Sequence, residues 1–347
     1  CVLALALSCV LIPLRRPMLL LFGASEATLP YATDYFTVYL TGTVFALLST
    51  GMSQFISAQG FARQAMLSVV LGAVMNIALD PVFIFLLDMG VRGAALATVL
   101  AQWASFLVCL AYVLRHHDLF GLVRRQWQIH REKLVQMLKL GIPSAIQMTV
   151  VGLSWLIMTF LINRYGVEAS AASGICAKIK DVALMFTLAL YTAATTMVAQ
   201  CLGAGKFDRA SRVVHVAMRW SLGVTAGIIV VIELFAPQIL MIFNPDPATM
   251  AIAVQNLRIE ILGQIFYASF MVYNALPMGA GHTLFALASS LLNCILVRVV
   301  LGVLFNHFFG LVGIFWACAI APISSVPLGY IYERTGLWRR SLTKGPA

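Results

Sequence analysis

Asn76 and Asp80 stand four residues apart inside an apolar run, 66–85, of a 347-residue chain. Four apart on a helix means one face, one turn above the other. The run is long enough to cross a bilayer, and a carboxylate at that depth is costly enough to mark function by default. Pro81 follows Asp80 directly. It has no N–H, so the Ile77 carbonyl is predicted to lose its helical partner. An Asp, an Asn amide and a freed carbonyl on one turn make a site for a proton or a hard cation. The competing reading is a polar clasp between two helices, a role Asn fills in membranes. The ion-site reading implies that the protein moves something across a membrane by coupling it to an ion.

Composition sets the elements that must position these residues. The chain is 61% hydrophobic and only 10% charged, where a soluble domain is about a quarter charged. That deficit excludes a disordered chain and points to an all-α polytopic membrane protein. The net charge of +10 gathers between apolar runs, which topology explains better than nucleic acid does. No nucleic-acid recognition motif accompanies it. Seven cysteines, none in a CxxC pair, read as buried, inert thiols. The histidine spacing offers no zinc site. No cofactor is expected beyond a coupling ion, H+ or Na+.

Runs of membrane-spanning length fall at about 1–22, 33–56, 65–87, 93–114, 139–163, 172–200, 215–243, 253–278, 284–308 and 311–333, giving about ten helices. The longest polar connector, 115–138, is basic and is expected in the cytoplasm. Helix parity then puts the basic loop 203–212 and the basic tail from Glu333 inside, and the acidic Asn244-Pro245-Asp246-Pro247 loop outside. Arg15 and Arg16, after Pro13, are expected at the outer interface with snorkelling charges. The expected location is the cell (inner or plasma) membrane, with the connector and C-terminus cytoplasmic.

An internal echo suggests two halves. Gly90-Val91-Arg92-Gly93 and Gly310-Leu311-Val312-Gly313 each open a helix, and each follows a helix ending in aromatic residues, Phe83 and Phe85 in one, Phe305 and Phe308 in the other. Repeated halves are a common transporter device. The expected division is 1–114, a connector 115–138, a second half 139–335 and a tail 336–347.

Several segments together resemble the multidrug and toxic compound extrusion (MATE) family, whose superfamily also holds polysaccharide and lipid flippases. They are Asn76 through Phe85 running into Met89 through Thr98, then Leu140-Gly141-Ile142-Pro143-Ser144, then Val198 through Lys206 with Asp208-Arg209-Ala210. The resemblance implies a MATE-type two-lobed bundle of twelve helices in two six-helix lobes, with a central cleft that opens to each side in turn. It implies export of organic cations and other amphipathic compounds in exchange for protons or sodium. Matched onto the family, the chain begins with Cys1 at the third helix, so 1–114 would be family helices 3–6 and 139–335 helices 7–12. The acidic residues that the NorM branch carries in its seventh and tenth helices are not found at the expected places. Val151 stands near one, and Tyr267 through Asn274 cover the other. The DinF branch uses an N-lobe site, and Asn76, Asp80 and Thr98 match three of its members at the family spacing. Its first-helix Asp would precede this chain.

Other residues carry weaker signals. Tyr35, Tyr39, Gln54, Met148, Trp155, Met158, Met185, Tyr191, Tyr267, Phe270 and Tyr273 are candidates for a drug cleft, since aromatic and Met side chains adapt to varied amphipathic ligands. Packing or lipid-facing roles compete for each. Arg298 sits deep in an apolar run and needs a partner or water; Glu260 or a cleft position are both open to it. Lys178, Lys180 and Asp181 read as a snorkelling interface cluster. Arg258 and Glu260, two apart, do not face each other, and Glu233 reads as interfacial.

Three functions compete. The first is a cation-coupled antiporter for amphipathic compounds. The second is a lipid or lipid-linked oligosaccharide flippase, which would need a more cationic cleft to hold pyrophosphate and has only Arg298 and the Lys178–Lys180 pair to offer. The third is a membrane-embedded enzyme such as a prenyl transferase, which would need clustered Asp for magnesium; no such motif occurs, and the chain is read as a non-enzyme. No Walker motif occurs either. The expected partners are small amphipathic substrates and the lipid bilayer, with the protein a monomer.

Overall fold

The computed structural model describes residues 2–21, 29–116 and 130–339, which are helices joined by short turns, with no strand among the described residues. The chain divides into two compact units, Cys1–Gln128 and Ile129–Ala347.

The first unit holds α1 (Val2–Leu21), α2 (Leu29–Ala58), α3 (Ala62–Pro81) and α4 (Gly90–Arg115). After Pro81 the α-helix gives way to a π segment, Val82–Leu86, closed by the Leu87 N–H on Val82 O at 2.9 Å. Small residues bring the helices together, as membrane bundles require. Ala65, Ser68 and Gly72 form the buried face of α3, and Ser49 of α2 bonds Ser105 of α4 at 2.9 Å. The opposite face of α3 shows Leu67, Val70, Val74 and Ile77, the last 71% exposed. Such a continuous apolar stripe suits hydrocarbon, not water.

The second unit runs through α5 (Arg131–Asn163), α6 (Val167–Gly203), α7 (Phe207–Met241), α8 (Pro247–Ala280) and α9 (Thr283–Leu291). A π segment, Leu292–Val299, leads into α10 (Val300–Ile320), a 3-10 turn and α11 (Ser325–Thr335). α8 packs on α6, α7 and α10 and forms the centre of the unit. Its start is capped by Asp246, whose carboxylate accepts from the Thr249 N–H at 3.3 Å. α5 begins at Arg131, inside the stretch expected as connector. Trp338, in the expected tail, is 2% exposed; its Nε1–H bonds Glu333 O at 3.0 Å.

Eight described segments are long and apolar enough to cross a membrane, and the last of them, Thr283–Thr335, breaks at Gly310. The α1 helix adds twenty residues. The chain is thus a multi-pass membrane protein, close to the ten helices expected.

The two Gly-x-x-Gly motifs occupy matching geometry in their own units. Gly90 and Gly310 both have positive φ, +53° and +61°, where a side chain is strained. A Cβ on Gly93 would stand 2.7 Å from Phe83 O, and one on Gly313 would stand 2.2 Å from Phe305 O. Each turn therefore folds a new helix directly onto the backbone of the aromatic end before it.

Candidate functional site

In the first unit Asn76, Asp80 and Thr98 form a connected polar group. The Asn76 Nδ2 donates to Asp80 Oδ1 at 3.3 Å and lies 3.4 Å from Thr98 Oγ1. The Thr98 hydroxyl donates in turn to Ala94 O at 3.0 Å, the backbone bond usual for Thr in a helix, which leaves its lone pairs for Asn76. The amide therefore ties α3 to α4 and also holds the carboxylate along α3. Asn76 and Asp80 are both half-buried.

Asn76 and Thr98 face a cavity of about 370 Å³ enclosed by α2, α3 and α4. Its lining is more polar than the helices around it. Ser49, Ser53 and Gln54 come from α2; Thr98, Gln102 and Ser105 come from α4. Of these, the sequence singled out only Gln54 and Thr98. The others lie at spacings of three to five along their helices, so each helix carries a polar stripe within an apolar surround; that periodicity was the available signal. A carboxylate, amide and hydroxyl oxygens beside a polar cavity are a hard-donor set, able to hold a proton or a small cation.

The remaining predicted residues are dispersed. In the first unit Tyr35 stacks on Tyr39 with ring centroids 6.0 Å apart. Arg15 and Arg16 lie within the continuous α1 and line a cavity of about 630 Å³ with Arg92 and Asp34, which pair at 2.8 Å. In the second unit Met148 and Met185 are exposed. Tyr267 tilts against Phe270 at 5.8 Å. Tyr273 packs beneath α11, its Cβ 2.4 Å from where a Gly329 Cβ would stand. Met158 is fully buried under Gly302 and belongs to the core.

In the second unit one expectation is corrected and one open choice is narrowed. Lys180 does not snorkel. It is 7% exposed, well inside α6, and its Nζ donates to Glu260 Oε2. α6 begins at Val167, earlier than the expected span, so Lys180 lies deeper than the sequence indicated. Arg298 does not pair with Glu260. It is 2% exposed and its guanidinium lies 4.9 Å from the centre of the Trp155 ring, over which Lys180 also sits, at 5.2 Å. Glu233 faces Arg258 at 3.7 Å, both partly exposed. The cysteines also differ in part: Cys109, Cys176, Cys294 and Cys318 are buried, whereas Cys9 is exposed.

A bundle of apolar helices with a half-buried carboxylate beside a polar cavity defines a multi-pass membrane protein with a candidate ion site. The MatE family model matches residues 1–82 and 143–304, and the chain belongs to that family. It is 28% identical over 298 residues to "Probable multidrug resistance protein YoeA" of Bacillus subtilis (strain 168), covering 84% of this chain and 64% of that protein. It is 25% identical over 301 residues to "Multidrug export protein MepA" of Staphylococcus saprophyticus, covering 87% of this chain and 66% of the relative. The chain thus spans about two thirds of the length of these relatives. Its fold matches a solved outward-facing multidrug resistance MATE family transporter of the MOP superfamily with a TM-score of 0.91, at 22% identity over 96% of this chain and 75% of that one.

Proposed function

We propose that the protein is a cation-coupled antiporter that exports amphipathic organic compounds, with Asp80 as the coupling carboxylate. The single observation that carries this reading is the bonded group Asn76–Asp80–Thr98 beside a polar cavity within an apolar unit. The names of YoeA and MepA support the substrate class. Asp80 takes a proton or a sodium ion from one side of the membrane and releases it to the other. Coupling requires only that the ion and the exported compound bind the two access states of the protein with different affinities. The basic connectors are cytoplasmic, so the ion enters from outside as the compound leaves.

Asn76 and Thr98 position the carboxylate, and Gln54 lines the same cavity, where it would meet a substrate. The candidate cleft residues of the second unit, Met148, Met185, Tyr267, Tyr273 and Arg298, would add apolar and polarizable contacts. A pyrophosphate-holding flippase is less well supported, because Glu260 already neutralises one of the few deep cations, Lys180. The test is dye efflux from vesicles containing the purified protein. Wild type should export under an imposed gradient of one coupling ion, and the Asp80→Asn variant, folded and inserted, should not. Normal efflux from that variant would sink the proposal.

A further inference from the structure

The second unit buries more positive charge than it neutralises. Lys180 from α6, Glu260 from α8 and Arg298 from the π segment are 7%, 5% and 2% exposed. Lys180 and Glu260 bond to each other. Arg298 is left with its Nε and Nη1 buried and without a hydrogen-bond partner among the described residues. A ring face attracts a cation, but it accepts no in-plane N–H bond and carries no counter-charge. Asn293, one π turn before Arg298, and Asn256, one α turn before Glu260, are also fully buried with both side-chain ends unpartnered. Among the described residues the three buried charges leave one surplus positive charge, and the two Asn side chains one turn away leave donors and acceptors unused.

The position has a meaning within the repeat. Asn76 lies seven residues before Phe83, and Arg298 lies seven before Phe305; these are the two aromatic residues whose carbonyls the paired glycines pack on. Where the first unit places an amide next to a carboxylate, the second places a guanidinium. By the same offset Asp80 corresponds to Gly302, so the second unit carries a cation where the first has a neutral amide, and no carboxylate one turn on.

From this we infer that the second unit holds a binding site for one singly charged anionic group, centred on the free edge of Arg298 and walled by Trp155. The group is a carboxylate carried by a transported compound or a free small anion; either supplies the missing acceptors and brings the cluster to neutrality. A guanidinium edge suits a carboxylate because two parallel N–H bonds can form. α5 fixes the wall: Ser154, next to Trp155, bonds Cys294 O at 2.7 Å. The site belongs to the other unit from Asp80 and does not depend on the antiport reading.

The test uses detergent-purified protein in a bulky organic sulfonate buffer of constant ionic strength. Sodium chloride and sodium acetate are titrated separately, with tryptophan fluorescence and thermal midpoint recorded. Ligand binding to the folded state raises the midpoint in a saturable way. Wild type should respond on both readouts, Asp80→Asn should respond equally, and Arg298→Met should not respond. The fluorescence change should vanish in Trp155→Phe. A response to both salts identifies a free-anion site, and a response to acetate alone identifies a carboxylate site. Should Arg298→Met fail to fold, Arg298→Lys decides, because it keeps the buried charge and leaves the Lys180–Glu260 pair intact. An ammonium cannot form the two parallel N–H bonds, so acetate binding must weaken, by about tenfold or more. No response to either anion in wild type, an undiminished response in folded Arg298→Met, or unchanged acetate affinity in folded Arg298→Lys would overturn the inference.

Discussion

The Asn76 amide donates to Asp80 Oδ1 at 3.3 Å along one face of α3, so the carboxylate is held by the residue one turn before it. Hydrogen bonds to charged groups contribute about 1.5–3 kcal/mol, and the length of this one argues for the low end. In Asn76→Ala the external ion concentration for half-maximal efflux should shift by about tenfold. Thr98→Val should shift it less, because Thr98 reaches Asp80 only through Asn76. Initial efflux rates against ion concentration measure both. Equal, negligible shifts would reduce Asn76 to an interhelical clasp.

Gly93 and Gly313 are predicted to be intolerant of the smallest enlargement. A Cβ would meet the carbonyl oxygens of Phe83 and Phe305, and backbone cannot move aside as a flexible side chain can. Overpacking of this kind costs about 1–3 kcal/mol. Gly93→Ala and Gly313→Ala should each lower the thermal midpoint in detergent. Gly51→Ala, where nothing lies within 4 Å, should leave it unchanged or raised. Normal midpoints for the first two would remove the physical basis of the matching turns.

Lys180 and Glu260 should behave as a unit. Removing one partner of a buried ion pair leaves an uncompensated charge and costs about 3–5 kcal/mol. Lys180→Met should therefore be strongly destabilising, and Lys180→Met combined with Glu260→Gln less so than the sum of the two single changes. Unfolding midpoints of the four proteins close the cycle; additive effects would show that the contact is incidental.

Asp246 gives a pH dependence outside the membrane-spanning segments. The Thr249 side chain, and then its backbone N–H, hold the Asp246 carboxyl below its usual value of 3.8. A depressed carboxylate stabilises the fold fully above its unfolded pKa and loses that contribution as pH falls through the lower folded value. The midpoint difference between wild type and Asp246→Ala should be constant above about pH 5 and shrink as the medium is acidified below the usual carboxylate pKa. A difference that grows on acidification would contradict the cap.

Much of this was legible in the residues themselves. Apolar runs gave the helices because spanning length is a property of local composition. Asn76 and Asp80 stood out because an acid inside an apolar run needs a reason, and the repeated Gly-x-x-Gly turns were visible as a pattern. What stayed hidden depended on contacts distant in sequence. Ser49 and Ser105 are ordinary residues until α2 and α4 bring them together. Lys180 and Glu260 are eighty residues apart, and nothing local to either announces the other. Lys180 was misread because a few residues of additional helix, starting at Val167, changed its depth. The π segments were not foreseen either; Pro81 indicated a disturbed helix but not its form.

Coupling of ion entry to export through Asp80 is tested most directly by gradient-driven efflux. Purified protein in vesicles, loaded with a fluorescent amphipathic dye, is given a proton gradient and then a sodium gradient, as wild type and as Asp80→Asn with equal insertion. Wild type should show gradient-driven efflux with one of the two ions, and Asp80→Asn should lose it. Gradient-driven efflux of equal rate in the two proteins would contradict that coupling.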